Sequence, residues 1–169
     1  ADKWGGTFFF ADFYHNGKNH PHNYGMMGTY MEIERSLNFW QDSKLKNLSA
    51  HVEYAGGLGV IPPGIGYNIN NAWMLGAEYF FHSEDYRNTL TVAALYKTIA
   101  NTNQKLPLQF SIVWGMQDLF NVKGLRFSGF ADLWWEENSW IGCLGPYTTQ
   151  FSFITEPQIW YNVGQFFNC

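Results

Sequence analysis

Side chains able to do polar chemistry recur in this sequence at alternate positions. Phe8, Phe10 and Asp12 form one such series, Tyr30, Glu32 and Glu34 a second, and Ser49, His51 and Glu53 a third. Glu78, Arg126 and Asp132 hold equivalent places farther along, in company with Lys97, Glu136 and Glu156. Successive side chains of a strand point to opposite faces, so each series lies on one face. Rings and carboxylates gathered on one face can hold a small organic molecule. An aromatic face stacks on a planar base, worth roughly 1–3 kcal/mol per base in known binders, and a carboxylate accepts hydrogen bonds from hydroxyl groups. The structural alternative is that the acids pair with Lys97, Arg126 and other partners on the same face.

Other chemistries find less support. Ser49-x-His51-x-Glu53 holds the three residue types of a hydrolase triad. Residues two apart on one strand stand side by side, however, which does not put serine in line with histidine. No catalytic set, and no enzyme, is expected. His15, His20 and His22 lie among asparagines and read as a solvated loop rather than a zinc site. His51 and His82 read as hydrogen-bonded histidines close to acids. No metal and no cofactor is expected. Cys143 and Cys169 allow a single disulfide that nothing in the sequence specifies.

The elements that must carry these residues are strands. Over residues 27–40, Met27, Thr29, Met31, Ile33, Leu37 and Phe39 alternate with Tyr30, Glu32, Glu34, Ser36 and Asn38, and Arg35 is the exception on the apolar side. Seven further segments alternate in the same way. They centre on Thr7–Tyr14, Leu48–Tyr54, Trp73–His82, Thr89–Lys97, Leu108–Gln117, Leu125–Glu136 and Phe151–Asn162. Eight antiparallel strands of roughly 10–14 residues are predicted, longer than the usual 5–6, and no helix. Long connections are expected at His15–Asn23, Gly57–Asn70 and Glu137–Thr149, and short turns at Gln41–Asn47, Ser83–Asn88 and Asp118–Lys123. Long loops at one end and short turns at the other are how outer-membrane barrels are built, although the Ala100–Lys105 link, which should be long by this rule, is short.

Composition sharpens that reading. The 169 residues include 8 Trp, 10 Tyr and 15 Phe, yet only 14% are charged, against about 25% in an average soluble domain. A disordered chain lacks such apolar content. The net charge of −4 argues against a nucleic-acid binder, which needs a basic face. The longest uncharged stretch, between Glu53 and Glu78, is broken by Pro62, Pro63, glycines and asparagines, so no transmembrane helix is expected. Eight of the 14 acids fall on the polar strand faces, and the opposite faces hold nearly all the Leu, Ile and Val. In a membrane barrel the apolar faces meet lipid and the polar faces line the lumen. Tyr14, Tyr24, Trp40, Trp73, Tyr86, Trp134, Trp135, Trp140, Trp160 and Tyr161 lie near strand ends, as interfacial girdles would. The chain therefore reads as one all-β, antiparallel transmembrane β-barrel domain in the bacterial outer membrane; the alternative is a soluble β-barrel or sandwich, which shows the same alternation with its polar faces in water.

The stretch Tyr30-Met31-Glu32-Ile33-Glu34-Arg35, with its spacing through Leu48-Ser49 to Asn71-Ala72-Trp73, resembles the Tsx-like nucleoside-specific channels of bacterial outer membranes. It is most similar to a Bacteroidetes branch of that group described only as a domain of unknown function. Asp2-Lys3-Trp4-Gly5 with Thr7-Phe8-Phe9-Phe10, Phe127-Ser128-Gly129-Phe130-Ala131-Asp132 and Glu156-Pro157-Gln158-Ile159-Trp160-Tyr161-Asn162 carry the likeness across almost the whole chain. The resemblance implies a twelve-stranded barrel, of which eight strands are visible here and further strands precede and follow. It also implies passive diffusion of nucleosides or similar small solutes. The expected ligand-facing set is Phe8, Phe10, Asp12, Tyr30, Glu32, Glu34, Glu53, Glu78, Arg126 and Asp132, and the expected partners are outer-membrane lipid, a nucleoside-like solute and other outer-membrane proteins. The alternative is a non-conducting barrel subunit of a larger outer-membrane assembly. Eight strands closing alone would leave an interior filled by side chains.

Overall fold

In the computed structural model, which describes residues 2–15, 26–61, 65–102, 104–142 and 145–164, the expected alternation becomes one sheet. Its strands are β1 (Gly5–His15), β2 (Met26–Leu37), β3 (Leu48–Ile61), β4 (Ile65–His82), β5 (Asn88–Ile99), β6 (Leu108–Gln117), β7 (Leu125–Gly142) and β8 (Gly145–Tyr161). Each pairs antiparallel with its sequence neighbour, in the order β1 through β8, and the sheet curls into a half-barrel. Among the described residues β1 is paired only with β2, and β8 only with β7. Among the described residues no α-helix occurs; a 3-10 turn spans Leu119–Asn121. Tyr24, His20, His22, Cys143 and Cys169, and the side chain of Trp140, fall outside the described residues.

The short turns fall where the sequence puts them, but two of the expected long loops do not. The segment 57–70 is mostly strand, because β3 and β4 continue as a paired hairpin from Gly57↔Ile69 to Ile61↔Ile65. The segment 137–149 is likewise strand out to Gly142↔Gly145. In the described parts of these segments the irregularities are local: register shifts occur at Ala55/Gly57 and at Trp135/Asn138. An extra residue in one strand of a pair bends and twists the ladder without ending it. Asn71 takes φ 53 next to the first shift, a left-handed conformation that asparagine tolerates, and its Oδ1 accepts a hydrogen bond from the Tyr54 hydroxyl at 3.0 Å.

Register aligns the two faces from strand to strand. On the convex face Phe9 lies opposite Ile33, Ile33 opposite Tyr54 and Tyr54 opposite Trp73. A second row runs Ala94, Phe110, Leu133, Phe153 across β5 to β8. These rows stay open to the surroundings; Trp73, Leu75 and Phe153 are each 60% or more exposed. Arg35 breaks the apolar side near the end of β2, where its guanidinium binds both oxygens of Asp2 at 2.8 Å and the Thr7 hydroxyl at 2.9 Å. On the concave face a small apolar cluster of Ala55, Met74, Ala93 and Leu95 packs with Tyr30 against it. Among the described residues six hydrophobic side chains are buried and 33 large ones are exposed. That is the reverse of a closed core.

Candidate functional site

The curl of the sheet encloses a trough of about 1130 Å³ along the concave face. It is lined from every strand by the parity that the alternation assigns to the polar face. Phe8, Phe10, Asp12, Tyr30, Glu32, Glu34, Glu53, Glu78 and Asp132 all line it. Arg126 does not. It shares the face, but its register, opposite Gln117 and Trp160, places it at the short-turn end of β7, beside Gly115 and away from the group.

Strand pairing determines which of these residues meet. Phe10 is opposite Glu32, and Glu34 is opposite Glu53. One step on, Ser36 is opposite His51, which is itself opposite Gly76 on β4, with Glu78 two residues further along that strand. His51, only 4% exposed, is the centre of this group. Its Nδ1 is 2.7 Å from Glu78 Oε2, and its Nε2 is 3.3 Å from Glu53 Oε2 and 3.6 Å from Glu34 Oε2. Ser36 lies beside Glu78 and Ser111 beside Asp132. The Tyr30 hydroxyl donates to Glu32. His82, by contrast, is engaged at the β4 end, its Nδ1 2.8 Å from the Ser83 carbonyl and its ring stacked on Tyr86.

Rings and a cation complete the surface. Phe8, Phe10 and Tyr30 follow one another at centroid spacings of 5.9 and 6.0 Å. Across the trough, Lys97 donates to Gln109 Oε1 at 2.6 Å and lies over the Trp134 ring. Trp134 therefore faces inward at mid-strand and belongs to the trough, not to an interfacial girdle. The girdle expectation placed both members of the pair Trp134-Trp135 at the interface, but the two rings of such a pair must face opposite ways. Seven acids line the trough and Lys97 is the only lysine or arginine among the lining residues. Such a surface repels anions and accepts hydroxyl donors, while its three successive rings present faces for stacking.

Curled antiparallel sheet, apolar convex face and polar trough together define a β-barrel type of wall. The chain belongs to the family described as "Domain of unknown function (DUF5020)", whose model matches residues 1–169. No curated protein and no solved structure matches it.

Proposed function

We propose that this chain forms the wall of a bacterial outer-membrane channel for the passive diffusion of nucleosides or similar small neutral solutes. The observation that carries the reading is the inversion of faces: large apolar side chains stand exposed on the convex side, and acids, amides and rings line the concave side. Lipid-facing and lumen-facing residues alternate in this way in outer-membrane barrels. Further β-strands bridge the edges of β1 and β8 in this reading, and the Tsx-like resemblance supplies a twelve-strand count for the closed wall. The acidic lining favours neutral solutes over nucleotides, and the Phe8–Phe10–Tyr30 series offers stacking faces to a base.

Reconstitution into liposomes tests the proposal. Uridine and adenosine should exchange across the vesicle wall faster than their monophosphates, and planar bilayers should show discrete conductance. Absence of conductance together with absence of nucleoside exchange would sink it. A second reading, a non-conducting barrel within a larger outer-membrane assembly, is favoured by the two sheet edges, since an unpaired strand edge is a ready surface for another chain. A stable hetero-complex on native-detergent sizing, without permeability, would support that reading.

A further inference from the structure

We infer that Glu34, His51 and Glu53 form a binding site for one divalent transition-metal ion of the zinc type, with Glu78 as the carboxylate that orients the histidine. The inference goes beyond the channel reading and does not depend on it.

Geometry carries the assignment. Glu78 Oε2 lies 2.7 Å from His51 Nδ1, so Nδ1 carries a hydrogen and donates it. In the neutral ring this leaves a lone pair on Nε2, and that lone pair faces two carboxylate oxygens at 3.3 and 3.6 Å. Three acceptors converging on one point repel one another unless something positive lies between them. A proton on Nε2 would bond Glu53 Oε2 at 3.3 Å and reach Glu34 Oε2 only weakly at 3.6 Å, whereas a metal ion serves all three ligands. Ligands held at about 2.0–2.2 Å around a tetrahedral ion are themselves separated by about 3.3–3.6 Å, and the two carboxylate oxygens stand at 3.3 and 3.6 Å from Nε2. The three ligand atoms all lie within 4.8 Å of one another.

Two further observations point the same way. Glu34 and Glu53 are direct cross-strand neighbours, and like charges directly opposite on a sheet destabilise it unless a cation bridges them. A metal-bound histidine almost always gives its other ring N–H to a carboxylate or carbonyl, which fixes the tautomer and ring orientation; the His51–Glu78 bond has that form. Glu34 is the most exposed of the three, so its side of the site opens to the trough and gives an ion a path in. One imidazole and two carboxylates leave a fourth position for water or a solute oxygen, the pattern of an open rather than a closed zinc site.

The test uses the full chain refolded in detergent, stripped with chelator and titrated with Co2+. One equivalent should bind with the visible absorption of a four-coordinate ion, and Zn2+ should displace it. Glu34→Gln and His51→Ala should abolish that spectrum, and Glu78→Gln should weaken binding about 10–100-fold. Glu137→Gln, outside the site, should bind like the parent chain. Because His51 is buried, each variant is checked for native strand content by circular dichroism; Glu34→Gln, at a more open position, keeps the test valid if His51→Ala misfolds. The inference is overturned if Co2+ fails to bind, if it binds equally well to Glu34→Gln, or if nitrogen NMR shows a doubly protonated His51 ring unchanged by metal.

Discussion

Lys97 on β5 and Trp134 on β7 meet across β6, with the ammonium 4.1 Å from the indole ring centroid. The same ammonium donates to Gln109 on the intervening strand, and Gln109 Nε2 in turn donates to Ser111 Oγ at 3.0 Å. The lysine is only 3% exposed. Lys97→Met keeps the stem but leaves Gln109 Oε1 without its donor, at a cost of about 1–3 kcal/mol. The double variant Lys97→Met with Gln109→Leu removes both partners and should recover a good part of that loss. Urea unfolding of the refolded chain checks this, and equal losses in the single and double variants would refute the linkage.

The lipid-facing assignment of the convex side makes its own prediction. Leu75 is 60% exposed near the middle of β4, between Val52 and Tyr96 on the neighbouring strands. In a bilayer Leu75→Arg should cost about 2–4 kcal/mol, because an arginine at the midplane must leave water. If that face met water instead, the same change at an exposed position would shift stability by less than about 0.5 kcal/mol. Folding yields into lipid vesicles across a urea series separate the two outcomes.

Why the sequence discloses the faces but not the site follows from what each depends on. Alternation is local, so the parity of Glu32, Glu53 or Asp132 can be read from two or three neighbours, and the structure places all of them along the trough. Strand ends and contacts depend on pairing. Residues 57–61 and 65–70 belong to the β3–β4 hairpin because the partner strand supplies their hydrogen bonds, a fact that no glycine or proline count can carry. Arg126 has the right parity and the wrong height, and height is set by register. The joining of Glu34, His51, Glu53 and Glu78 needs three strands in register; in the sequence, only His51 and Glu53 are close enough to read together.

Close approach of backbones predicts an asymmetry among the glycines of β4. A Cβ at Gly76 would lie 2.1 Å from the Ala94 carbonyl oxygen and 2.8 Å from Leu95 Cα, both backbone atoms of the paired strand. Gly76→Val should therefore destabilise the sheet by about 1–3 kcal/mol through enforced strand displacement. At Gly66 the nearest atom is a Leu58 methyl at 3.9 Å, and Gly66→Val should be neutral or slightly stabilising, since valine suits an extended strand better than glycine. Thermal melts of the two variants in the same detergent give the comparison. Equal effects would mean that β4 and β5 do not approach as closely as the pairing requires.

The turn joining β6 to β7 predicts how stability responds to acid. Asp118 takes a left-handed conformation, φ 51 and ψ 45, and its Oδ1 accepts the Gly124 N–H at 2.7 Å while Oδ2 pairs with Arg87 of the β4–β5 turn. The Gly124 amide first, and then the Arg87 guanidinium, hold its carboxyl below the usual aspartate value. A group whose folded pKa is depressed binds its proton more readily when unfolded. Its contribution is therefore present above the unfolded value of about 4 and is lost as pH falls through the folded one. Exchange of the Gly124 amide should accelerate relative to the sheet amides as pH drops below about 4. Asp118→Asn keeps an acceptor and tolerates the left-handed conformation, so it should abolish this pH dependence while leaving the turn formed. Asp118→Ala loses the acceptor as well and should expose the Gly124 amide at every pH. An Asp118→Asn turn that still loosens below pH 4 would assign the acid sensitivity to another group.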